Sequence, residues 1–157
     1  MFFIFILCVI VATACLPLII GLLGRKRGSA YPQSYNWLPA AAALLFLASY
    51  FIPDIHISNE TDTFQQHFVG GGLYAACLFI YFQRLLRWND SFVTGFVQLF
   101  AWVSALGVAN ELFEFALTKL DIVYIDTHDT AWDLVANTCG ALIGYSIFLC
   151  VRLAKKS

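Results

Sequence analysis

The sequence predicts an all-α membrane protein, a polytopic bundle of about five transmembrane helices with its N-terminus outside and its C-terminus in the cytoplasm. Three observations carry that expectation. Of 157 residues, 61% are hydrophobic and only 12% are charged, against roughly 25% charged in soluble domains. The apolar residues gather into runs close to the roughly 20 residues a helix needs to cross a bilayer. The charges between those runs are sorted by sign.

Five runs qualify as spans. The first, Phe2 to Gly24, lacks a basic leader region, and its "VATAC" is a poor match to a lipoprotein cleavage site, so it reads as a retained helix. The second, Trp37 to Ile52, is the shortest, with Pro39 near its start and Pro53 closing it. The third runs from His67 to Leu86, the fourth from Phe92 to Leu117, and the fifth from Asp129 to Leu153. No Gly/Ser linker, repeat or low-complexity tract divides them, so residues 1–157 read as one domain. The five cysteines all fall inside apolar runs without a CxxC pair. That pattern argues against a disulfide framework or a structural zinc site and predicts small buried residues. The Phe-rich runs read as lipid-facing surface.

Orientation follows from the basic residues. Arg25, Lys26, Arg27, Arg84, Arg87, Arg152, Lys155 and Lys156 make eight of the nine lysines and arginines, and all lie on one side of the five runs. That side is expected to be cytoplasmic. Nine of the ten acids lie on the other: Asp54, Glu60, Asp62, Glu111, Glu114, Asp121, Asp126, Asp129 and Asp133. Sorting by the positive-inside rule does not require this, because acids contribute little to topology.

Depth brings the polar residues together. At about 1.5 Å per residue, Asp133 stands about 28 Å above Arg152, Glu111 about 30 Å above Ser91, and His67 about 25 Å above Arg84. Three helices measured separately reach the same height. Asp129, Asp133 and Asn137 share one face of the fifth run, with Gly140 and Gly144 following. In the fourth, "NELFEF" sets Glu111 three residues before Glu114 and Asn110 four before it, in the last turns, where the helix dipole disfavours negative charge. Asp129 by itself suits a first helical turn, and Asp126 or Thr127 suits the N-cap. Glu111, Glu114 and Asp133 need another account.

An acid at the centre of a spanning helix costs about 2.5–3.5 kcal/mol, less near the interface. Protonation, pairing with His67 or a lysine, or a bound cation would relieve several gathered together. Bases are nearly absent from that layer, so protonation and a bound cation are the favoured remedies. Oxygen donors favour magnesium, calcium or manganese, and an imidazole tilts the choice toward manganese, iron or zinc. The expected metal ligands are Glu111, Glu114, Asp129 and Asp133, with His67, Asn110 and Asn137 as further binding residues. His67 opens "HFVGGG", whose glycines are costly in a water-exposed helix but let backbones approach closely in a membrane. Gly72 with Ala76 and Gly140 with Gly144 offer such faces, and the triple glycine is expected to press the third run against the fourth or fifth.

These residues resemble a family. "WDLVANTCGALIGY" is similar to the final helix of VanZ-like membrane proteins, with Asp133, Asn137, Gly140, Ala141 and Gly144 matching. "HFVGGG", "NELFEF" and "DTAWD" also resemble the YjdF-type family, at His67 and Gly70, at Glu111, Leu112 and Glu114, and at Asp129, Thr130 and Asp133. The likeness covers the last three runs. It departs where VanZ-like proteins carry an acid four residues before the histidine, here Thr63, and where they often pair Glu with Gln rather than Glu111 with Glu114. The resemblance implies a small bacterial inner-membrane protein of the cell envelope and supplies no reaction.

The expected function is a carboxylate-rich site at the outer face, binding a divalent cation (magnesium, manganese, calcium or zinc) and a lipid or peptidoglycan-related envelope ligand. No catalytic residue is assigned, because no Ser/His/Asp triad or phosphate-cradling loop specifies a reaction. Membrane lipids are the expected partners, and nucleic acid is not. The alternative is a structural or interaction module whose polar residues hold the bundle together. A transporter is disfavoured, because the cytoplasmic half offers no matching polar relay.

Overall fold

Backbone amides without water must be satisfied within their own segment, which makes the helix the economical conformation for runs this apolar. The computed structural model describes residues 2–25, 35–53, 63–88, 91–122 and 130–155, and in the first segment the side chains of 6–20. All of the regular structure there is helical: α1 (Phe2–Arg25), α2 (Trp37–Ser49), α3 (Phe64–Leu85), α4 (Phe92–Lys119) and α5 (Thr130–Ala154). Three of them, α3, α4 and α5, are long and apolar enough to cross a membrane. Helices α1 and α2 contain shorter apolar stretches, Ile6–Ile20 and Trp37–Ser49.

The ends of α4 follow local chemistry. Ser91 is its N-cap, its side chain accepting the Thr94 amide at 3.2 Å. At the other end Asp121 takes a left-handed backbone, φ 54°, which returns the Ile122 amide to the Leu117 carbonyl at 3.1 Å. Arg87 does the same after α3, with φ 53° and the Trp88 amide donating to Gln83 at 3.0 Å. The helix α5 starts at Thr130, so Asp129 and the expected caps Asp126 and Thr127 lie outside the described residues.

Helix α3 is not uniform. Phe64–Gln66 and Tyr74–Leu85 are α-helical, but His67–Leu73 between them is a π-helix, in which the Tyr74 amide donates back to Val69, five residues earlier. The widened stretch coincides with the glycine run. This helix is central, packing against α2, α4 and α5 and reaching α1 through a hydrogen bond between the hydroxyls of Thr13 and Tyr74, 2.9 Å apart.

Against α5 the approach is backbone to backbone. A Cβ on Gly72 would meet the Asn137 carbonyl oxygen at 2.5 Å, Gly140 Cα at 2.7 Å and Ala141 N at 2.9 Å. One turn on, a Cβ on Gly144 would stand 3.1 Å from the Ala76 Cβ. The two small-residue faces expected from the sequence therefore meet one another, Gly72 on Gly140 and Ala76 on Gly144. The glycines press α3 onto the fifth run of the two that were expected.

Helix α4 buries Gly95, Leu99, Val103 and Gly107, one residue in every four along a single stripe. Gly95 faces the Tyr145 hydroxyl and Gly107 faces Leu134. The rest of its surface exposes Phe92, Val93, Val97, Phe100, Leu112 and Phe115. Apart from Lys119 in the last turn, its exposed residues are apolar, a surface suited to lipid.

Two expectations from the sequence need correction. Phenylalanines are not all lipid-facing: Phe79 is fully buried and, with the partly buried Phe96 and Phe148, surrounds the buried ring of Tyr145. Small residues on α3 and α5 leave room between helix axes that large rings fill. Nor are the cysteines buried. All five are free; Cys8, Cys139 and Cys150 are exposed, and Cys15 and Cys77 are half-buried. Glycine and alanine hold the tightest contacts, where even a thiol is too large.

The glycine contacts rank the cost of adding a methyl group. Gly72→Ala meets only backbone, which cannot rotate aside, and is expected to cost about 1–3 kcal/mol. Gly144→Ala meets side-chain atoms at ordinary-to-tight distance and should cost less. Thermal unfolding in mild detergent measures both, and equal shifts would contradict the packing described.

Candidate functional site

The close approach of α3 and α5 sets their first turns side by side. His67, in the first turn of the π-helical stretch, brings its Nε2 to 3.3 Å from Asp133 Oδ2. Asp133 is 3% exposed, deep for a carboxylate. Its other oxygen accepts a hydrogen bond from the Thr63 hydroxyl at 3.1 Å. Thr63, four residues before His67, thus serves Asp133 directly.

Helix α4 supplies the third member. Its buried stripe, continued by four residues beyond Gly107, arrives at Glu111. One ligand atom each from His67, Glu111 and Asp133 lies within 4.8 Å of the other two. Three helices close on one point, at the end of the bundle opposite Arg84 and Arg152, which occupy the last turns of α3 and α5.

Below this trio sits Asn137, four residues after Asp133 on the same face and 5% exposed. Its Oδ1 has no hydrogen-bond partner among the described residues. The amide fits only because Gly71 has no side chain, for a Cβ there would overlap Asn137 Oδ1. Gly70 is matched in the same way to the Ser49 hydroxyl of α2, which donates to the Phe46 carbonyl at 2.8 Å.

The remaining expected residues take different places. Asn110 donates to Glu114 Oε1 at 2.7 Å, an i,i+4 pair along α4. Glu114 lies outside the trio and acts electrostatically on the Tyr50 phenol at the end of α2. Asp129 falls outside the described residues. The contributions of Thr63 and of α2, through Ser49 and Tyr50, were not read from the sequence. A hydroxyl four residues before His67 was the available signal for Thr63; α2, apolar but for its final Ser49, gave little.

An imidazole nitrogen and two carboxylates form a mixed N/O donor set. A tetrahedral cation with bonds of about 2.0–2.1 Å places neighbouring ligands about 3.3–3.4 Å apart, which is the His67–Asp133 separation. The Asn137 oxygen adds a buried acceptor still lacking a donor. These residues fit a divalent cation such as manganese or zinc. They also fit a proton-sharing pair, since an imidazole donates to a carboxylate at the same distance. Compared with family models, curated proteins and solved structures, the chain gives no match.

The overlap at Gly71 involves Asn137 side-chain atoms alone, so the two positions should be strongly coupled. Gly71→Ala is expected to destabilise the protein, and Asn137→Ala in the same chain should recover most of the loss. A double-mutant cycle of unfolding in detergent should give a coupling of about 1 kcal/mol or more; additive effects would remove Asn137 from beneath the trio.

Proposed function

We propose that this chain is a multi-pass protein of the bacterial inner membrane, related to the VanZ-like proteins, whose outer face carries a divalent-cation site that engages an envelope ligand. The observation that carries the reading is the convergence of His67, Glu111 and Asp133 from three helices, with ligand atoms within 4.8 Å. The orphaned Asn137 oxygen beneath them supports it. Three protein ligands leave coordination positions open, as sites that act on ligands do. His67 is then a ligand or a proton donor and acceptor, Glu111 and Asp133 are ligands, and Thr63 orients Asp133 from behind. Glu114 and Asn110 form the rim, together with Asp129 as the sequence suggests. The outward orientation is supported by Arg84 and Arg152 in the last turns of α3 and α5, at the end opposite this trio, and by the sequence setting eight of the nine basic residues on one side of the five runs.

The test is direct. Protein purified in mild detergent is expected to bind about one Mn²⁺ per chain, and Glu111→Gln or Asp133→Asn should weaken binding by at least about 100-fold, a ligand mattering more than its supporting shell. Binding should weaken as pH falls through the histidine range, because protons compete for all three ligands. A wild-type protein that takes up no metal would defeat the proposal.

One observation favours a second reading, a bundle held by polar contacts without metal: His67, Asp133 and Thr63 already satisfy one another across α3 and α5. On that reading Asp133→Asn lowers the unfolding temperature by the same amount with and without Mn²⁺. On the metal reading added Mn²⁺ stabilises the wild type alone.

Orientation has its own check. A fluorescent protein that matures only in the cytoplasm, fused after Ser157, should fluoresce, and its silence would invert the topology.

A further inference from the structure

Beside the trio, the seam between α4 and α5 does not close. A groove of about 380 Å³ runs along it, lined by Phe100, Val103, Ser104 and Val108 from α4 and by Val135 and Thr138 among others from α5. That volume is within the range of about 300–1,000 Å³ typical of small-molecule sites. Its lining is mostly apolar, with Ser104 and Thr138 the polar members. Thr138 donates its hydroxyl to the Leu134 carbonyl at 2.8 Å, so it presents no unmet donor. Phe100, Val108 and Val135 are all about half exposed, which leaves the groove open along its length to whatever surrounds the bundle.

The upper end of the groove lies close to the polar trio. Ser104, Val108 and Glu111 fall at i, i+4 and i+7, a single stripe of α4. On α5, Leu134 lines the groove and is the immediate neighbour of Asp133. Gly107, between the stripes, is close to both Leu134 and the Asn137 amide. From Phe100 to Val108 the groove rises about 12 Å, and Glu111 stands about 4.5 Å beyond its upper end. An apolar trough about 12 Å long therefore terminates at a cluster of one imidazole and two carboxylates.

On the basis of the cation site proposed above, we infer that its ligand is a lipid phosphate, whose single apolar chain lies in the α4–α5 groove and whose phosphate oxygens take the open positions on the cation. An amphiphilic occupant fits, because the trough is lined mostly by apolar residues and the polar trio lies just beyond its upper end. It must enter sideways from the bilayer, because the groove opens laterally. Its head must be a hard oxygen anion to complement a divalent cation, and a free phosphate would leave the trough unused.

A long-chain alkyl phosphate carrying a mid-chain diazirine, added with Mn²⁺ to the full-length protein in detergent, tests this. Photolabelling is expected to map to 100–108 and 134–139, to require Mn²⁺, and to resist competition by inorganic phosphate at equal concentration. Val108→Trp and Val135→Trp place bulk at exposed positions in the trough and should each reduce labelling at least about tenfold, the worth of roughly two packed methylene groups. Ile147→Trp, exposed on α5 away from the groove, should label as wild type. Label spread evenly over the helices of a protein that binds Mn²⁺ would overturn the inference while sparing the cation site. So would full competition by inorganic phosphate. Absence of Mn²⁺ binding in the wild type would instead remove the reading on which the inference rests.

Discussion

Everything at the polar end of this bundle depends on two backbones touching. Gly72 and Gly140 bring α3 and α5 so close that a single methyl group on Gly72 would strike carbonyl, Cα and amide atoms at once. In a bilayer, packing rather than water exclusion drives helices together, and small residues let the attraction act over the greatest area. The contact also fixes a register. With Gly72 on Gly140 and Ala76 on Gly144, the parallel helices bring His67 level with Asp133. Larger residues in the seam would hold the helices apart, and the imidazole and carboxylate would no longer be within 3.3 Å.

That register explains how a carboxylate as buried as Asp133 is tolerated. An isolated charge at this depth is costly, but Asp133 has the Thr63 hydroxyl on one oxygen and His67 on the other. The π-helical turn contributes. Each residue added to a helical turn shifts the side chains beyond it in phase, so the stretch from His67 to Leu73 can present His67 to α5 at its head and Gly70 to α2 while Gly71 and Gly72 still face α5. Wider turns of this kind recur at functional sites. Here the turn and the glycine run are one feature, because a π-turn with bulky side chains would not fit between α2 and α5.

Much of this could be read from the residues, and the unread parts have physical causes. The helix Phe92–Lys119 was readable because its apolar run is long. Phe64–Leu85 starts three residues before the expected His67, because polar Thr63 and Gln65 carry no apolar signal yet Thr63 has a partner in Asp133. The gathering of His67, Glu111 and Asp133 was readable as equal depth on three helices. Depth says nothing about azimuth, however, and so could not separate Glu111 from Glu114. Only the stripe Gly95, Leu99, Val103, Gly107 distinguishes them, since its next member is Glu111. The buried phenylalanines escaped because hydropathy cannot tell a ring facing lipid from one filling the space beside a glycine.

Of the three helices that supply the trio, α4 is the least buried. Its buried stripe includes two glycines, Gly95 against Tyr145 and Gly107 against Leu134 and Asn137, and much of the rest of its surface is half-buried or exposed. Glu111 is thus carried by the most weakly packed of the three helices, while His67 and Asp133 are locked by the tightest contact in the bundle. A ligand bridging Glu111 to that pair would add binding energy where the packing is thinnest, drawing α4 toward α5 along the seam that now stands open. On the reading proposed above, the thin packing that leaves this groove open would also make the polar end responsive to what fills it.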